Sequence, residues 1–270
     1  MTKNNSVVNA MRALLAALCL AGCASKDGGD DGLTLYSDET IRAQGEAAYR
    51  EMLRTERLSR EADMIELTQC VTMRLLSAMT PEERDGLEWE VNVFANEAAN
   101  AFALPGGKIG VYEGLFKHAR NEHQLAAVLA HEVGHVVEDH SNLRATNSTL
   151  REVGKVAALL AGVSPMIVEN AALAADLGLF MPFGREQESE ADAFGLMLMA
   201  RAGFDPEESV YLWRNMDDGG LAPPEILSSH PSHDTRIEDL QALMGPARVL
   251  FESAFLQDRV VTCRTSSFLG

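Results

Sequence analysis

Residues His131-Glu132-Val133-Gly134-His135 place two imidazoles four positions apart, with a carboxylate beside the first. The pentapeptide lies inside Gln124 to Glu138, where Leu125, Val128, Leu129 and Val136 recur at helical spacing. On a helix, positions i and i+4 share a face, so both rings project the same way. Their apolar neighbours argue for burial, against the alternative of two surface histidines on a charged helix. Their nitrogens can then share one tetrahedral Zn2+ at about 2.0–2.1 Å. Glu132, one step round the helix, can reach a water on that ion without being a ligand. Any fold must bring at least one further ligand to the buried face of this helix, and leave a fourth position open for chemistry.

This spacing suits metal-assisted peptide hydrolysis, in which the metal acidifies a water and the glutamate takes its proton. The metzincin pattern asks for a glycine three residues after the second histidine and a third histidine three residues later. Glu138 and Ser141 stand there instead, and His140 is out of step on the helix, which reads as structural or exposed. The third ligand is therefore expected from a later helix, as in gluzincins. Arg185 to Gly195 (REQESEADAFG) is the best region. Spacing barely separates its three glutamates. Glu188, Asp192, Gly195, Met199 and Ala202 form a stripe running into small and apolar residues, whereas Glu190 shares its stripe with Arg201. A carboxylate on a buried stripe needs a metal or a partner. Glu188 thus leads as ligand, with Asp192 orienting an imidazole from behind, and Glu186 and Glu190 read as solvated surface.

These motifs resemble the zinc metallopeptidase family that includes HtpX, the type-one CAAX prenyl protease, BepA and LoiP. His131, Glu132 and His135 match its HExxH, and Glu188 to Asp192 (ESEAD) match its ExxxD. The resemblance implies Glu188 as third ligand and Asp192 behind the site. Asn100 to Gly107 (NAFALPGG) matches an edge-strand segment that, in the family, lies beside the substrate. Asn100, Ala101, Phe102 and Ala103 are its substrate-binding candidates. His230-Pro231 with Arg236 matches a late HPxxxxR pattern, which implies His230 and Arg236 at the active site, supporting an oxyanion. A histidine there can also act as an inhibitory fourth ligand. The implied fold is α+β, mainly helical and zincin-like, with a small sheet whose edge faces the cleft. The implied cofactor is one Zn2+ per chain.

The N-terminus reads as an address. Lys3 and Arg12 precede a short apolar core, Ala13 to Ala21, ending in Leu20-Ala21-Gly22-Cys23. This resembles a bacterial lipobox, with cleavage after residue 22 and a lipid on Cys23. The small, acidic Ser25 to Gly32 reads as a tether. Acyl chains contribute roughly 0.8 kcal/mol per buried methylene, enough in combination to hold a protein on a membrane. Ala24 after the cysteine favours the outer membrane, facing the periplasm. The layout resembles that of the lipoprotein member, LoiP. Unfolded or misassembled envelope polypeptides, and the outer-membrane assembly machinery, are the implied partners. A formal net charge of -17 argues against nucleic acid. Of four cysteines, Cys70 and Cys263 remain in the folded part, either as a disulfide closing nearly the whole domain or as two buried thiols.

The expected organisation is a signal segment over 1–22, lipidated Cys23 and tether over 23–37, and a helical segment over 38–80 with Asp38 as a cap. A metallopeptidase domain follows over 81–245, then a C-terminal segment over 246–270. Thr80-Pro81-Glu82-Glu83 predicts a helix start, while Trp89 to Val93, Asn100 to Leu104 and Lys108 to Tyr112 predict strands. Gly203-Phe204-Asp205-Pro206 predicts a helix stop and restart. The apolar stretch 153–183 reads as a core helix pair, with a lid as the sharper alternative. His118, His123 and His233 read as surface residues.

Overall fold

A computed structural model describes residues 34–160, 184–217, 226, 230, 235–257 and 263. The lipobox with Cys23, the tether up to residue 33, His233 and residues 161–183 of the apolar stretch lie outside them.

Helix α1 (Asp38–Thr55) is capped by Ser37, whose side chain accepts from the Thr40 amide. Asp38, expected as the cap, sits one residue inside, where its charge still favours the positive end of the helix dipole. Ile41, Gly45 and Tyr49 bury one face of α1 at i, i+4, i+8 spacing. Helix α2 (Ala62–Ala78) buries Leu67, Val71 and Leu75. Both helices lie within the expected helical segment 38–80, and the chain is extended between them. Arg57 and Ser59 instead pair with the first strand, through Ala95 N to Arg57 O and Ser59 N to Val93 O, both 2.8 Å. One-turn helix α3 (Pro81–Arg84) starts as expected, with Thr80 and Glu83 exchanging capping bonds.

Strands β1 (Glu90–Phe94), β2 (Ala101–Leu104) and β3 (Lys108–Tyr112) form one mixed sheet in the order β1-β3-β2. β1 runs parallel to β3 and β2 antiparallel to it. β3 is buried along its length. β2 is left as an edge, joined to β3 by a turn in which Gly106 and Gly107 take φ of 88° and 85°, a left-handed backbone that glycine adopts without strain.

Helix α4 (Glu122–Val137) is capped by Asn121, whose side chain accepts from the Gln124 amide at 2.8 Å. Every residue from Gln124 to His135 is buried, so this is a central helix covered on all sides. Helices α5 (His140–Leu160), α6 (Arg185–Arg201), α7 (Glu207–Asp217) and α8 (Arg236–Leu256) complete the described architecture. Leu67, Val71 and Leu75 of α2 pack with Ile109 and Val111 of β3, Leu125, Leu129 and Val133 of α4, and Leu196 and Met199 of α6. α6 lies against α4 at close range. A β-carbon on Gly134 would stand 3.1 Å from the Ala191 backbone, and one on Gly195 would stand 2.8 Å from the His131 nitrogen.

Cys70 of α2 and Cys263 are joined in a disulfide, with Cα atoms 5.8 Å apart. α8 runs on through Pro246, the first residue of the expected C-terminal segment 246–270. Among the described residues, no helix is long and apolar enough to cross a membrane.

Candidate metal centre

α4 aims His131 and His135 into the gap between itself and α6, with their Nε2 atoms 3.0 Å apart. Glu188, in the first turn of α6, meets them there. Its Oε1 lies 3.4 Å from His135 Nε2 and its Oε2 lies 3.5 Å from His131 Nε2. His230 closes the group, its Nδ1 3.2 Å from His131 Nε2 and 3.0 Å from Glu188 Oε1. One ligand atom from each of the four lies within 4.8 Å of the others, and all four residues are buried.

Their surroundings fit a cation. His131 Nδ1 lies 2.9 Å from Asp192 Oδ1, so a proton belongs on that nitrogen and the opposite one is free to bind metal. Glu188 Oε2 and Glu132 Oε1 are buried without hydrogen bonds, and each has a basic side chain 3.3 Å away, Arg236 Nη1 and His230 Nε2 respectively. Burial opposes charge on His131, but Asp192 and Glu188 outweigh it and push its pKa up to about 9. Burial pushes the His135 pKa down to about 2 despite Glu188, with the neighbouring His131 and His230 adding to the effect. Burial would raise Glu188, yet the three histidines hold its carboxyl well below the usual range. The nitrogen and oxygen donors of these four residues suit zinc.

Glu132 lies beside this centre. Its Oε2 accepts from the Ala103 amide of edge strand β2 at 3.1 Å, and its Oε1 lies 3.3 Å from His230 Nε2. Burial raises its pKa, opposed by the charges of His230 and His131. Residues 66–244 match the model of peptidase family M48.

The chain belongs to peptidase family M48.

It is 37% identical over 171 residues to the mitochondrial metalloendopeptidase OMA1 of Schizosaccharomyces pombe, covering 62% of this chain and 50% of that one. It is 35% identical over 182 residues to the Arabidopsis thaliana OMA1, covering 67% and 36%. It is 36% identical over 155 residues to the beta-barrel assembly-enhancing protease of Escherichia coli O157:H7, covering 53% and 32%. The chain thus spans between about a third and a half of the length of these curated relatives.

In this M48 domain the structure brings together His131, Glu132, His135, Glu188, Asp192, His230 and Arg236. Arg236 lies against the ligand candidates, its Nη2 3.5 Å from His131 Nε2. It is fully buried at the start of α8, donates to Asp192 Oδ1 at 2.6 Å, and lies 3.3 Å from Glu188 Oε2. Its guanidinium stacks 3.5 Å from the Trp213 ring centroid. It therefore holds both carboxylates, Asp192 and Glu188, beside His131. Burial would raise the Asp192 pKa, but Arg236, reinforced by His131, holds it low. His140, read as structural or exposed, is fully buried, with its Nδ1 2.8 Å from His135 Nδ1. Its other nitrogen lies 3.0 Å from Glu190 Oε2, so Glu190 is more than solvated surface.

Of the β2 candidates, Ala103 touches the site through its backbone. Phe102 instead turns its ring toward Phe94 and Tyr112, and Ala101 is buried on the sheet. Asn100 precedes the strand, its carbonyl accepting from the Tyr112 amide. His123 is half-buried and accepts from the Asp205 amide, rather than lying free on the surface. Trp213 was missed; its only signal was being one of two tryptophans in the chain.

Proposed function

We propose that this chain is a zinc-dependent endopeptidase anchored through lipidated Cys23 in the outer membrane, facing the periplasm, and cutting unfolded or misassembled envelope polypeptides. The observation that carries the catalytic part is the convergence of His131, His135 and Glu188 beside Glu132, with the Glu132 carboxylate held against the edge of β2. The lipobox Leu20 to Cys23 and the similarity to a beta-barrel assembly-enhancing protease support the envelope part.

His131, His135 and Glu188 would hold the metal. When bound, zinc supplies Lewis-acid polarisation of the peptide carbonyl and lowers the pKa of a water. The remaining work belongs to the chain. An extended peptide adds to the free edge of β2, where backbone pairing sets its depth independently of sequence. This suits a protease for unfolded chains. Ala103 N–H aims Glu132 at the scissile bond, where the buried carboxylate takes a proton from water and passes it to the leaving amine. His230, 3.3 Å from Glu132, is the side chain placed to donate to the developing oxyanion. Arg236 and Asp192 keep His131 and Glu188 in register from behind.

Purified protein is expected to contain one zinc per chain and to cleave unfolded casein, with cleavage lost on chelation and restored by zinc. Absence of stoichiometric zinc removes the catalytic reading. Trapping with Glu132→Gln in the envelope tests the substrate class, and recovery of no envelope polypeptide would count against it.

A second reading is favoured by His230 standing among the donors. A fourth protein ligand closes the open position, leaving a zinc-stabilised assembly factor with latent proteolysis. Activation by His230→Ala supports latency, whereas loss of cleavage supports the oxyanion role.

A further inference from the structure

We propose that His140 and Glu190 form a positioning relay that holds His135 in the tautomer able to bind metal. The relay rests on the zinc reading above.

α4 ends at Val137, and Asp139 takes φ of 50°, the left-handed region, which costs a residue with a β-carbon roughly 1–2 kcal/mol. That turn lets α5 start back toward α4. His140, its first residue, is fully buried, with its ring centroid 4.9 Å from that of His135. The two Nδ1 atoms are 2.8 Å apart, and His140 Nε2 lies 3.0 Å from Glu190 Oε2. The Glu190 side chain is 53% exposed, so the line runs from the centre of the molecule to its surface.

Metal binding by His135 Nε2 requires that nitrogen to be bare, which puts the proton on Nδ1. His135 then donates to His140 Nδ1. The remaining proton of His140 falls on Nε2, where it is donated to the Glu190 carboxylate. Both rings are neutral in this arrangement. His131 is held by a different device, with its Nδ1 against Asp192, which Arg236 backs. Three of the four carboxylates that α6 carries at two-residue steps thus have separate duties. Glu188 faces the metal, Asp192 steers one imidazole directly, and Glu190 steers the other through His140. Groups that orient ligands in this way typically change metal affinity by about 10–100-fold.

The test measures zinc affinity of the full chain by competition with a chromophoric chelator, and the visible spectrum of the cobalt-substituted protein. His140→Leu is expected to weaken zinc binding about 10–100-fold and shift the cobalt bands. His140→Asn, whose Oδ1 can stand where Nδ1 stood and accept from His135, is expected to recover most of both. A folded His140→Leu protein with wild-type affinity and spectrum overturns the relay, as does a folded His140→Asn protein that recovers neither. Where His140→Leu fails to fold, Glu190→Ala decides, since its side chain is half exposed. It is expected to weaken zinc binding several-fold, with Glu190→Gln recovering, and unchanged affinity overturns the relay. Wild-type protein that binds no zinc removes the zinc reading and the relay together, an outcome distinct from failure of the variants alone.

Discussion

Gly195 passes the backbone of His131 so closely that a β-carbon on it would stand 2.8 Å from the His131 nitrogen. One turn earlier on α6, Ala191 backs onto Gly134 of α4 in the same way. The two glycines set the distance between the helix that carries both imidazoles and the helix that carries Glu188. Gly195→Ala must push backbone against backbone, where no flexible side-chain end can give. Overpacking of this kind costs about 1–3 kcal/mol. The same displacement moves Glu188 away from His131 and His135. Urea unfolding of the variant should show the loss of stability, and chelator competition should show weaker zinc binding. Retention of wild-type values for both would mean that the helices separate freely.

Glu132 touches Ala103 and stands beside His230, and no structural bond depends on its negative charge alone. Glu132→Gln keeps an acceptor for the Ala103 amide and removes the base. Zinc content should equal wild type, while cleavage of an unfolded substrate should fall by at least about 10²–10⁴-fold, the scale of general-base catalysis. Full cleavage by the zinc-loaded variant would exclude the role.

Arg236 distinguishes clamping from oxyanion support. Removing it leaves Asp192 buried without its cation, and breaking such a pair costs about 3–5 kcal/mol. Arg236→Leu should therefore unfold at lower urea and bind zinc more weakly. Per zinc-loaded molecule its kcat should change little. A loss of about 10²–10³-fold on that basis is the signature of a lost oxyanion donor and would assign Arg236 that role.

Local rules served where the backbone answers to neighbouring residues. The Thr80 capping box, the bounds of β3, the Gly203 stop and the helix around His131 were all legible, because caps, alternation and periodicity are local. Glu188 led on its stripe alone only narrowly, because spacing barely separates the three glutamates, and the ExxxD resemblance was the more decisive ground. The break at Glu56 to Glu61 was not legible. Its charged residues suit a helix, and only pairing with the end of β1 explains the extended backbone. For His140 the choice between a structural and an exposed place stayed open, because the pattern offers no stop after Val137. Once Asp139 turns left-handed, a residue out of step with the helix lands beneath His135. The family pattern gave Arg236 a place at the site, but its direction depends on Trp213 and Asp192, which arrive from two other helices.

The Cys70–Cys263 disulfide closes a loop of 193 residues. In the chain-entropy model, a cross-link over such a span removes about 5 kcal/mol of freedom from the unfolded state. It lies on α2, away from the residues around Glu132. Replacing both cysteines by alanine should lower the midpoint of urea unfolding markedly and leave kcat of the folded protein unchanged. An unchanged midpoint would show that the bond adds nothing to the core around Cys263.

Tyr49 should make the fold sensitive to alkali. Its hydroxyl donates to the Ile109 carbonyl at 2.9 Å and accepts from the Asn92 side chain at 3.0 Å. Burial pushes the phenol up to about 12, offset in part by the Asn92 hydrogen bond and reinforced by the charge on Glu90. The folded state therefore keeps this proton across a window, from about pH 10 to about 12, in which the unfolded chain releases it. Stability from this group is complete below that window and is lost as pH rises through it. Tyr49→Phe should cost about 1 kcal/mol near neutral pH, through the lost bond to Ile109. It should then close the gap to wild type as pH climbs above 10. Urea midpoints of the two proteins, compared from pH 8 upward, test this directly. A gap that stays constant across the window would show that the phenol titrates alike in both states.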